Sequence, residues 1–269
     1  MSINLKSLFS KNKHEVHHGK RWLLNESSPF IMTEAFRNLL SNLTFAVPKK
    51  ENDIGKIIGI SSATVSEGKS TIVSNLAITC ANAGYKTVII DCDMRKPKIR
   101  SIFNLPKSKG LVDFLSGQIK YEEFLIKDYI PNLDILPTYK TAPNPTALLV
   151  TPVFEELLER LSHEYEYVLI DTPPINVVSD CINIAPKTDG IALVVRPELS
   201  DHKSIQNAIY NIEFTESNFL GFIMNSINQK ENRGRYYKKY YKYGYSSSGQ
   251  KTSEESKIDE KEEKNKVKE

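Results

Sequence analysis

Short runs of β-branched and aliphatic residues alternate with stretches of helical periodicity between about residues 54 and 226, and this alternation restricts the fold most strongly. The runs are continuously apolar, as in strands that are buried on both faces of a parallel sheet. We therefore predict a doubly wound α/β domain with a mostly parallel sheet and helices on both faces. The predicted strands are KIIGI (56–60), KTVIID (86–91), LDIL (133–136), YVLID (167–171), GIALVV (190–195) and GFIMN (221–225).

Helical periodicity predicts connecting helices over Lys69–Ala83, Pro145–His163 and Ser200–Phe214. A further helix is predicted within residues 28–47, ahead of the first strand, with Ser28 as its N-cap and Pro29 in its first turn. We expect this helix to pack on the outside of the α/β domain.

Composition divides the chain into four parts. We predict a basic N-terminal extension (1–28), the α/β domain (29–228), a tyrosine-rich segment (229–245) and a charged tail (246–269) with the composition of a disordered region. The apolar runs are far shorter than the about 20 residues of a membrane-spanning helix. The basic N-terminus also lacks the apolar stretch of a secretory signal, so we expect a cytoplasmic protein.

The charge of the chain is unevenly distributed. Residues 22–228 hold 19 Lys/Arg against 24 Asp/Glu, whereas residues 229–245 hold six Lys/Arg against one Glu. An acidic body of this kind argues against a nucleic-acid partner. The three cysteines and five histidines show no metal-binding spacing, so no zinc site is expected.

The segment IIGISSATVSEGKST (57–71) predicts a buried strand, a loop and the start of a helix. Its last four residues, Gly68-Lys69-Ser70-Thr71, have the form of a Walker A loop, which binds nucleotide phosphates and Mg²⁺. The helix start adds free N–H groups and a favourable dipole for an anion. Ala63 stands where the strict pattern has a glycine, so the loop alone is not specific. A plain strand–turn–helix junction is the alternative.

Two further predicted strands end in acidic residues. One ends in DCD (91–93) followed by Met-Arg-Lys-Pro, and the other ends in Asp171 followed by Thr-Pro-Pro. Because ligands of open α/β sheets bind beyond the carboxyl ends of the strands, we expect Asp91, Asp93 and Asp171 to converge on the phosphates held by Lys69. Asp171 fits a Walker B aspartate. Taken singly, an aspartate after a strand is equally typical of a helix cap.

These three motifs, SSxxxxEGKST, DxDxRKP and DTPP, resemble those of the bacterial tyrosine kinases of capsule and exopolysaccharide operons, over about residues 29–245. The similarity is greatest to the CpsD/CapB type of Gram-positive bacteria. The resemblance implies ATP and Mg²⁺, a membrane-spanning activator or polysaccharide co-polymerase at the inner face of the membrane, self-association into a ring, and a tyrosine phosphatase.

The resemblance also implies the roles of individual residues. The loop residues Glu67, Gly68, Lys69, Ser70 and Thr71 would bind the nucleotide, and Ser70, Asp93 and Asp171 would hold Mg²⁺. Asp91 is the candidate base for the tyrosine hydroxyl, although the sequence does not separate its role from that of Asp93.

Two positions of the resemblance have open alternatives. Asn225 matches a position near the adenine, and it is equally well explained as a residue that caps a strand end. Glu34 and Arg37 match the first two residues of a Glu-x-x-Arg-x-x-Arg assembly motif, but Leu40 replaces the second arginine. A surface ion pair between Glu34 and Arg37 explains these two residues equally well.

Six of the 13 tyrosines of the chain lie in RYYKKYYKYGY (235–245). Aromatic and basic residues in this arrangement fit three functions: stacking on single-stranded nucleic acid, binding to an anionic membrane, or accepting phosphate. Beside an ATP site we favour phosphate acceptors. They are Tyr236, Tyr237, Tyr240, Tyr241, Tyr243 and Tyr245.

The rival interpretation from another class is an ATP-dependent switch of the cell-division or plasmid-partition type, which binds membrane or DNA. Such switches carry an additional lysine early in the loop, where this chain has Thr64. The DxDxRKP motif and the tyrosine cluster also favour the kinase.

Overall fold

Seven strands and eight α-helices lie within residues 23–47 and 54–226, the parts of the chain that the computed structural model describes. In chain order the elements are α1 (Phe30–Ala46), β1 (Lys56–Ser62), α2 (Lys69–Asn82), β2 (Thr87–Asp91), α3 (Ile99–Ile102), α4 (Leu111–Leu115), β3 (Ile126–Ile130), β4 (Leu133–Leu136), α5 (Pro145–Leu149), α6 (Pro152–Glu164), β5 (Tyr167–Asp171), α7 (Asp180–Ile184), β6 (Gly190–Val195), α8 (His202–Phe214) and β7 (Phe219–Met224).

The strands form one sheet in the order β3-β4-β2-β5-β1-β6-β7, and every neighbouring pair except β3 and β4 is parallel. Helices α1 and α2 pack on one face of the sheet, and α4, α5 and α6 pack on the other, as does α8 nearer the β7 edge. The central strands are fully buried, which explains their continuously apolar sequences. The predicted doubly wound α/β fold is confirmed.

The sequence did not predict strand β3. It is an edge strand that runs antiparallel to β4, and its residues are only partly buried or exposed. Its sequence, IKDYI, has neither the continuous apolar pattern of the buried strands nor a clean alternation. The short turn to β4 contains Asn132 with a φ of 69°, in the left-handed region that asparagine tolerates.

The single helix predicted over Pro145–His163 is wrong, because the structure has two helices there. The first, α5, is capped by the Asn144 side chain, which accepts a hydrogen bond of 3.3 Å from Ala147 N. The second begins at Pro152, whose ring cannot continue a helix but suits a first turn.

Two predicted helix starts are also wrong. Ser28 does not cap α1, because its hydroxyl accepts a hydrogen bond of 2.9 Å from Asn25 N, and the helix begins at Phe30. Helix α8 begins at His202 rather than Ser200, since Asp201 is its N-cap and accepts a hydrogen bond of 2.9 Å from Ser204 N. Ser200 therefore lies in the β6–α8 loop, where its hydroxyl is available for another contact.

Helix α1 is fixed to the α/β domain by its apolar face and by its C-terminal end. Leu40 is buried in the core between α1 and the sheet. Lys56 Nζ donates hydrogen bonds of 2.8 and 2.6 Å to the carbonyl oxygens of Thr44 and Val47 at the end of the helix. Among the described residues, no helix is both long and apolar enough to span a lipid bilayer.

Candidate active site

The phosphate loop connects β1 to α2, and its last residue has a conformation that requires glycine. Gly68 has a φ of 94°, in the left-handed region that glycine tolerates best. A Cβ atom at this position would also lie 2.1 Å from Nδ2 of Asn225. Helix α2 begins at Lys69, so the free N–H groups of its first turn are available to an anion beside the loop.

Lys69 connects this loop to the second acidic motif. Its Nζ donates a hydrogen bond of 3.0 Å to Asp93 Oδ2, and both side chains are almost fully buried. Burial by itself lowers the pKa of Lys69, but the charges of Asp171 and Asp93 outweigh it, so the pKa is raised and the amine stays protonated. Asp93 Oδ1 accepts a hydrogen bond of 3.0 Å from Lys96 N, which fixes the carboxylate from the other side.

Asp171 ends β5 directly beside the end of β2, where it pairs in register with Asp91. Both of its carboxylate oxygens are buried, and neither has a hydrogen-bond partner of normal geometry within the described residues. Burial raises the pKa of Asp171 to about 6, against the opposing effects of the Lys69 charge and the adjacent Ser70 hydroxyl. Buried carboxylate oxygens without donors are suited to bind a cation.

The oxygen atoms at this position fit Mg²⁺. This ion prefers carboxylate, hydroxyl and phosphate oxygens, and it usually takes only one or two carboxylates from the protein. Ser70, Asp93 and Asp171 offer such a set next to the phosphate loop. Within the described ranges no group of three or more His, Cys, Asp or Glu could hold a metal ion by itself. Because Mg²⁺ keeps several oxygen ligands that the protein does not supply, this small set suits an ion that also takes oxygens from elsewhere.

Asp91 is fully buried. It lies beside Asp171, and it also makes hydrogen bonds that stabilise the local structure. Its Oδ2 accepts hydrogen bonds of 3.1 and 3.0 Å from Lys98 N and Ile99 N at the start of α3. Its Oδ1 is buried without a hydrogen-bond partner in the described part of the chain. Burial, reinforced by the charge of Asp171, raises the pKa of Asp91 well above its usual range. Its role as the base stays a prediction.

The structure places the remaining predicted nucleotide-binding residues around the loop. Glu67 is buried, and its two carboxylate oxygens accept hydrogen bonds from Thr64 N, at 2.9 Å, and from the Ser200 hydroxyl. Thr71 lies in the first turn of α2, where its N–H donates to Gly68 O at 3.1 Å. That Glu67 and Thr71 contact the nucleotide stays a prediction.

Asn225, which follows β7, reaches the phosphate loop. Its Nδ2 donates a hydrogen bond of 2.8 Å to Glu67 O, and its N–H donates to Val195 O at 2.8 Å. The side chain therefore ties the ends of β6 and β7 to the loop. Its position near an adenine stays a prediction.

Sequence reasoning missed a buried partner of the DxDxRKP motif. Arg95 donates two hydrogen bonds, of 2.8 and 3.0 Å, to the carboxylate of Asp180, which is fully buried at the start of α7. The Thr146 hydroxyl donates a third, of 2.7 Å, to the same carboxylate. The partner lies 85 residues away in the sequence, and no local pattern marks it.

The structure describes the predicted Glu34–Arg37 pair, but not the predicted tyrosine cluster. Arg37 forms a surface ion pair of 2.6 Å with Glu34 on α1, while Leu40 is part of the core. This pair agrees with the surface interpretation and does not test assembly. The six predicted phosphate-acceptor tyrosines of segment 235–245 lie outside the described residues.

The fold and this site together define a nucleotide-binding P-loop domain. A family model described as an AAA domain matches residues 55–226. The chain is also 22% identical to the septum site-determining protein MinD of Pyrococcus horikoshii, with a TM-score of 0.57, over 65% of this chain and 72% of that one. That similarity is one of fold alone.

The more similar proteins are kinases. The chain is 36% identical over 197 residues to the tyrosine-protein kinase CpsD of Streptococcus agalactiae, covering 73% of this chain and 84% of that protein. It is 34% identical over 210 residues to the putative tyrosine-protein kinase CapB of Staphylococcus aureus, covering 78% and 90%. The crystal structure of the chimerical protein CapA2B2 matches with 37% identity and a TM-score of 0.68, covering 75% and 86%. This chain belongs to the CpsD/CapB family of bacterial tyrosine-protein kinases.

Proposed function

We propose that this chain transfers the γ-phosphoryl group of ATP to tyrosine hydroxyls, and that its acceptors include the cluster between residues 235 and 245. The observation that carries the proposal is the Lys69–Asp93 hydrogen bond beside Asp171 and Asp91. This contact brings the lysine of the Walker A loop next to acids that lie at the ends of β2 and β5. Phosphoryl transfer requires mainly such positioning and charge neutralisation.

Each group of the site has a role in this reaction. Lys69 and the N–H groups at the start of α2 hold the β- and γ-phosphates, as the dipole of the helix favours. Ser70, Asp93 and Asp171 are the residues that would hold Mg²⁺. When bound, this ion neutralises charge on the phosphate oxygens.

Asp91 is the proposed base. A tyrosine hydroxyl has a pKa of about 10 and must lose its proton as it attacks phosphorus. The raised pKa of Asp91 makes this transfer less unfavourable. Asp91 Oδ1 has no donor among the described residues, whereas both oxygens of Asp93 accept hydrogen bonds from Lys69 and Lys96.

The test is mass spectrometry of the full chain, purified from cells without another tyrosine kinase and incubated with ATP and Mg²⁺. Phosphate on two or more of Tyr236, Tyr237, Tyr240, Tyr241, Tyr243 and Tyr245 is expected, and a variant with all six changed to Phe should carry far less. ATP turnover without phosphotyrosine would instead favour the switch-type ATPase.

We also propose that the kinase works at the inner face of the cell membrane with a membrane-spanning activator of the polysaccharide co-polymerase kind, and that it regulates the synthesis and export of a capsular or extracellular polysaccharide. The similarity to the chimerical protein CapA2B2 and to CpsD supports this. ATP affinity should rise when cytoplasmic segments of the activator are added. Equal affinity with and without them would contradict this part of the proposal.

Self-association and reversal by a tyrosine phosphatase complete the proposed cycle. The exposed Glu34–Arg37 pair on α1 is the candidate assembly surface. The buried Leu40 adds no charge to it, so we expect weaker assembly than with the full three-residue motif.

A further inference from the structure

A buried carboxylate lies inside the phosphate loop, one residue before the glycine that ends it. Glu67 is only 1% exposed, so its carboxyl group is removed from water. Such a group is costly unless its oxygens accept hydrogen bonds. Here Oε2 accepts from Thr64 N at 2.9 Å, and Oε1 accepts from the Ser200 hydroxyl. The hydrogen bond from Thr64 lies within the phosphate loop, and the one from Ser200 joins the phosphate loop to another segment.

The second bond leads to the β6–α8 loop, residues 196–201. Ser200 Oγ accepts a hydrogen bond of 2.9 Å from Arg196 N, and Ser200 N donates to Arg196 O at 2.8 Å. Arg196 and Ser200 therefore form a closed turn, and the serine hydroxyl reaches Glu67 from it. Leu199 in this turn is 48% exposed, so the turn is at the surface. A part-buried contact thus connects the phosphate loop to a surface segment.

Asn225 forms a second connection between Glu67 and the strands beyond β1. Its Nδ2 donates to the Glu67 carbonyl oxygen at 2.8 Å, while its own N–H bonds to Val195 O at 2.8 Å. The main chain and the side chain of Glu67 are therefore both tied to the ends of β6 and β7.

The strand order shows on which side of the phosphate loop these hydrogen bonds of Glu67 lie. Strands β5 and β2, which carry Asp171 and Asp91, lie on one side of β1, and β6 and β7 lie on the other. The ties of Glu67 thus hold the phosphate loop from the side opposite to the acids. The two sides can be changed separately, because the hydrogen bonds of Asp91 and Asp93 go to other partners than those of Glu67.

We propose that Glu67 is a positioning residue: it sets the nucleotide-binding conformation of the phosphate loop and couples that conformation to the Arg196–Ser200 turn. The inference rests on the proposed function, because it assumes that the loop binds a nucleotide. Displacing the turn withdraws the Ser200 hydroxyl from Glu67 and releases the loop. In Ser200→Ala the affinity for nucleotide then falls, whereas phosphoryl transfer at saturating ATP changes less, because bound nucleotide restores the loop and the acids on the other side are untouched.

The variants that test this are Glu67→Gln, Ser200→Ala and the double variant, with Ser204→Ala as the matched control. Ser204 lies in the first turn of α8, and its hydroxyl bonds only to Asp201, at 2.6 Å, among the described residues. Ser200→Thr keeps the hydroxyl and serves as the rescue variant.

Binding of Mg-ADP to the full chain is measured by titration calorimetry, and phosphotyrosine formation is measured at saturating ATP. We expect Ser200→Ala and Glu67→Gln each to weaken binding roughly tenfold, as for a lost hydrogen bond to a charged group. The double variant should lose less than the sum of the two single losses, because both changes act on the same contact. Ser200→Thr and Ser204→Ala should bind like the unchanged protein.

Hydrogen–deuterium exchange without nucleotide gives a second measurement, which does not depend on a measurable affinity. The phosphate-loop amides should exchange roughly tenfold faster in Ser200→Ala and at the normal rate in Ser204→Ala. Unchanged exchange and unchanged binding in Ser200→Ala, or fully additive losses in the double variant, would overturn the inference. If the unchanged protein binds Mg-ADP but makes no phosphotyrosine, the proposed function fails and this inference stands.

Discussion

Lys69 Nζ lies 3.0 Å from Asp93 Oδ2, and this hydrogen bond joins two sequence motifs that are 24 residues apart. The lysine begins α2, which follows β1, and the aspartate lies just beyond the end of β2; strand β5 lies between β1 and β2 in the sheet. Because Asp171 ends β5, it lies between the two. The Lys69 ammonium group therefore interacts with Asp93, which follows β2, and with Asp171 at the end of β5.

Lys69→Met is expected to lower phosphotyrosine formation at least about a hundredfold, because the variant loses the cation that we propose to hold the phosphates. The protein should stay folded, since Asp93 keeps its hydrogen bond from Lys96 N. Anti-phosphotyrosine blotting and a thermal melt measure both. Lys127→Met, at an exposed position in β3, is the control. Full phosphorylation by folded Lys69→Met would show that the active site lies elsewhere.

Two substitutions of Asp91 separate catalysis from structure. Asp91→Asn keeps an oxygen that accepts from Lys98 N and Ile99 N, so its melting temperature should be nearly unchanged while kcat falls roughly 10²–10⁴-fold. Asp91→Ala leaves two buried N–H groups without an acceptor and should lose about 2–4 kcal/mol of stability as well. If Asp91→Asn retains normal kcat, the base is another group, with Asp93 next in line.

Asp171→Asn is expected to stabilise the protein without nucleotide while removing its activity. Burial raises the pKa of Asp171 to about 6, so between its ordinary value and pH 6 the folded state binds this proton more tightly than the unfolded state. The ionised carboxylate therefore destabilises the fold increasingly as the pH rises towards 6, and fully above it. The asparagine variant should gain roughly 1–3 kcal/mol at pH 7.5 and about half of that at pH 5.

Urea unfolding at the two pH values measures this gain for Asp171→Asn. Asp128→Asn, at an exposed position in β3, is the control for an Asp-to-Asn change outside the site. A gain for Asp171→Asn that is larger at pH 5 than at pH 7.5 would have the wrong sign and would contradict the raised pKa.

Removing Arg95 should reveal the buried charge of Asp180. Arg95→Met leaves that carboxylate with only the Thr146 hydroxyl and should cost about 2 kcal/mol, because the arginine itself is partly exposed. Adding Asp180→Asn should recover part of the loss. Arg37→Met, in the exposed pair with Glu34, should change stability by less than about 0.5 kcal/mol. Chemical denaturation compares these variants, and equal losses for Arg95→Met and Arg37→Met would contradict the assignment.

Phosphorylation of the tyrosine cluster is expected to weaken self-association. Each phosphotyrosine adds about −1.5 to −2 charges, so three of them cancel the basic charge of residues 229–245. A basic segment is attracted to the acidic site of a neighbouring subunit, and a phosphorylated one is repelled. Light scattering at low salt should give a lower molar mass for the phosphorylated chain than for the unmodified chain or a Tyr-to-Phe variant. Equal masses at all concentrations would contradict this.

The sequence by itself determined the fold class and the chemical groups of the site. Buried parallel strands must be continuously apolar, and a Walker A loop needs Gly-Lys-Ser at a strand-to-helix junction, as in residues 68–70, so both leave a local pattern. The acids at the ends of β2 and β5 could be placed together because parallel strands end at the same edge.

Only the tertiary structure decided which distant groups complete these motifs. The pairing of Arg95 with Asp180 and of Glu67 with Ser200 joins residues 85 and 133 positions apart, and neither partner stands in a recognisable motif. Ser200 was expected in a helix, but Asp201 caps α8 instead and leaves Ser200 in the loop. Such contacts depend on how whole elements pack against one another. The side-chain periods of two residues in strands and 3.6 residues in helices do not predict them.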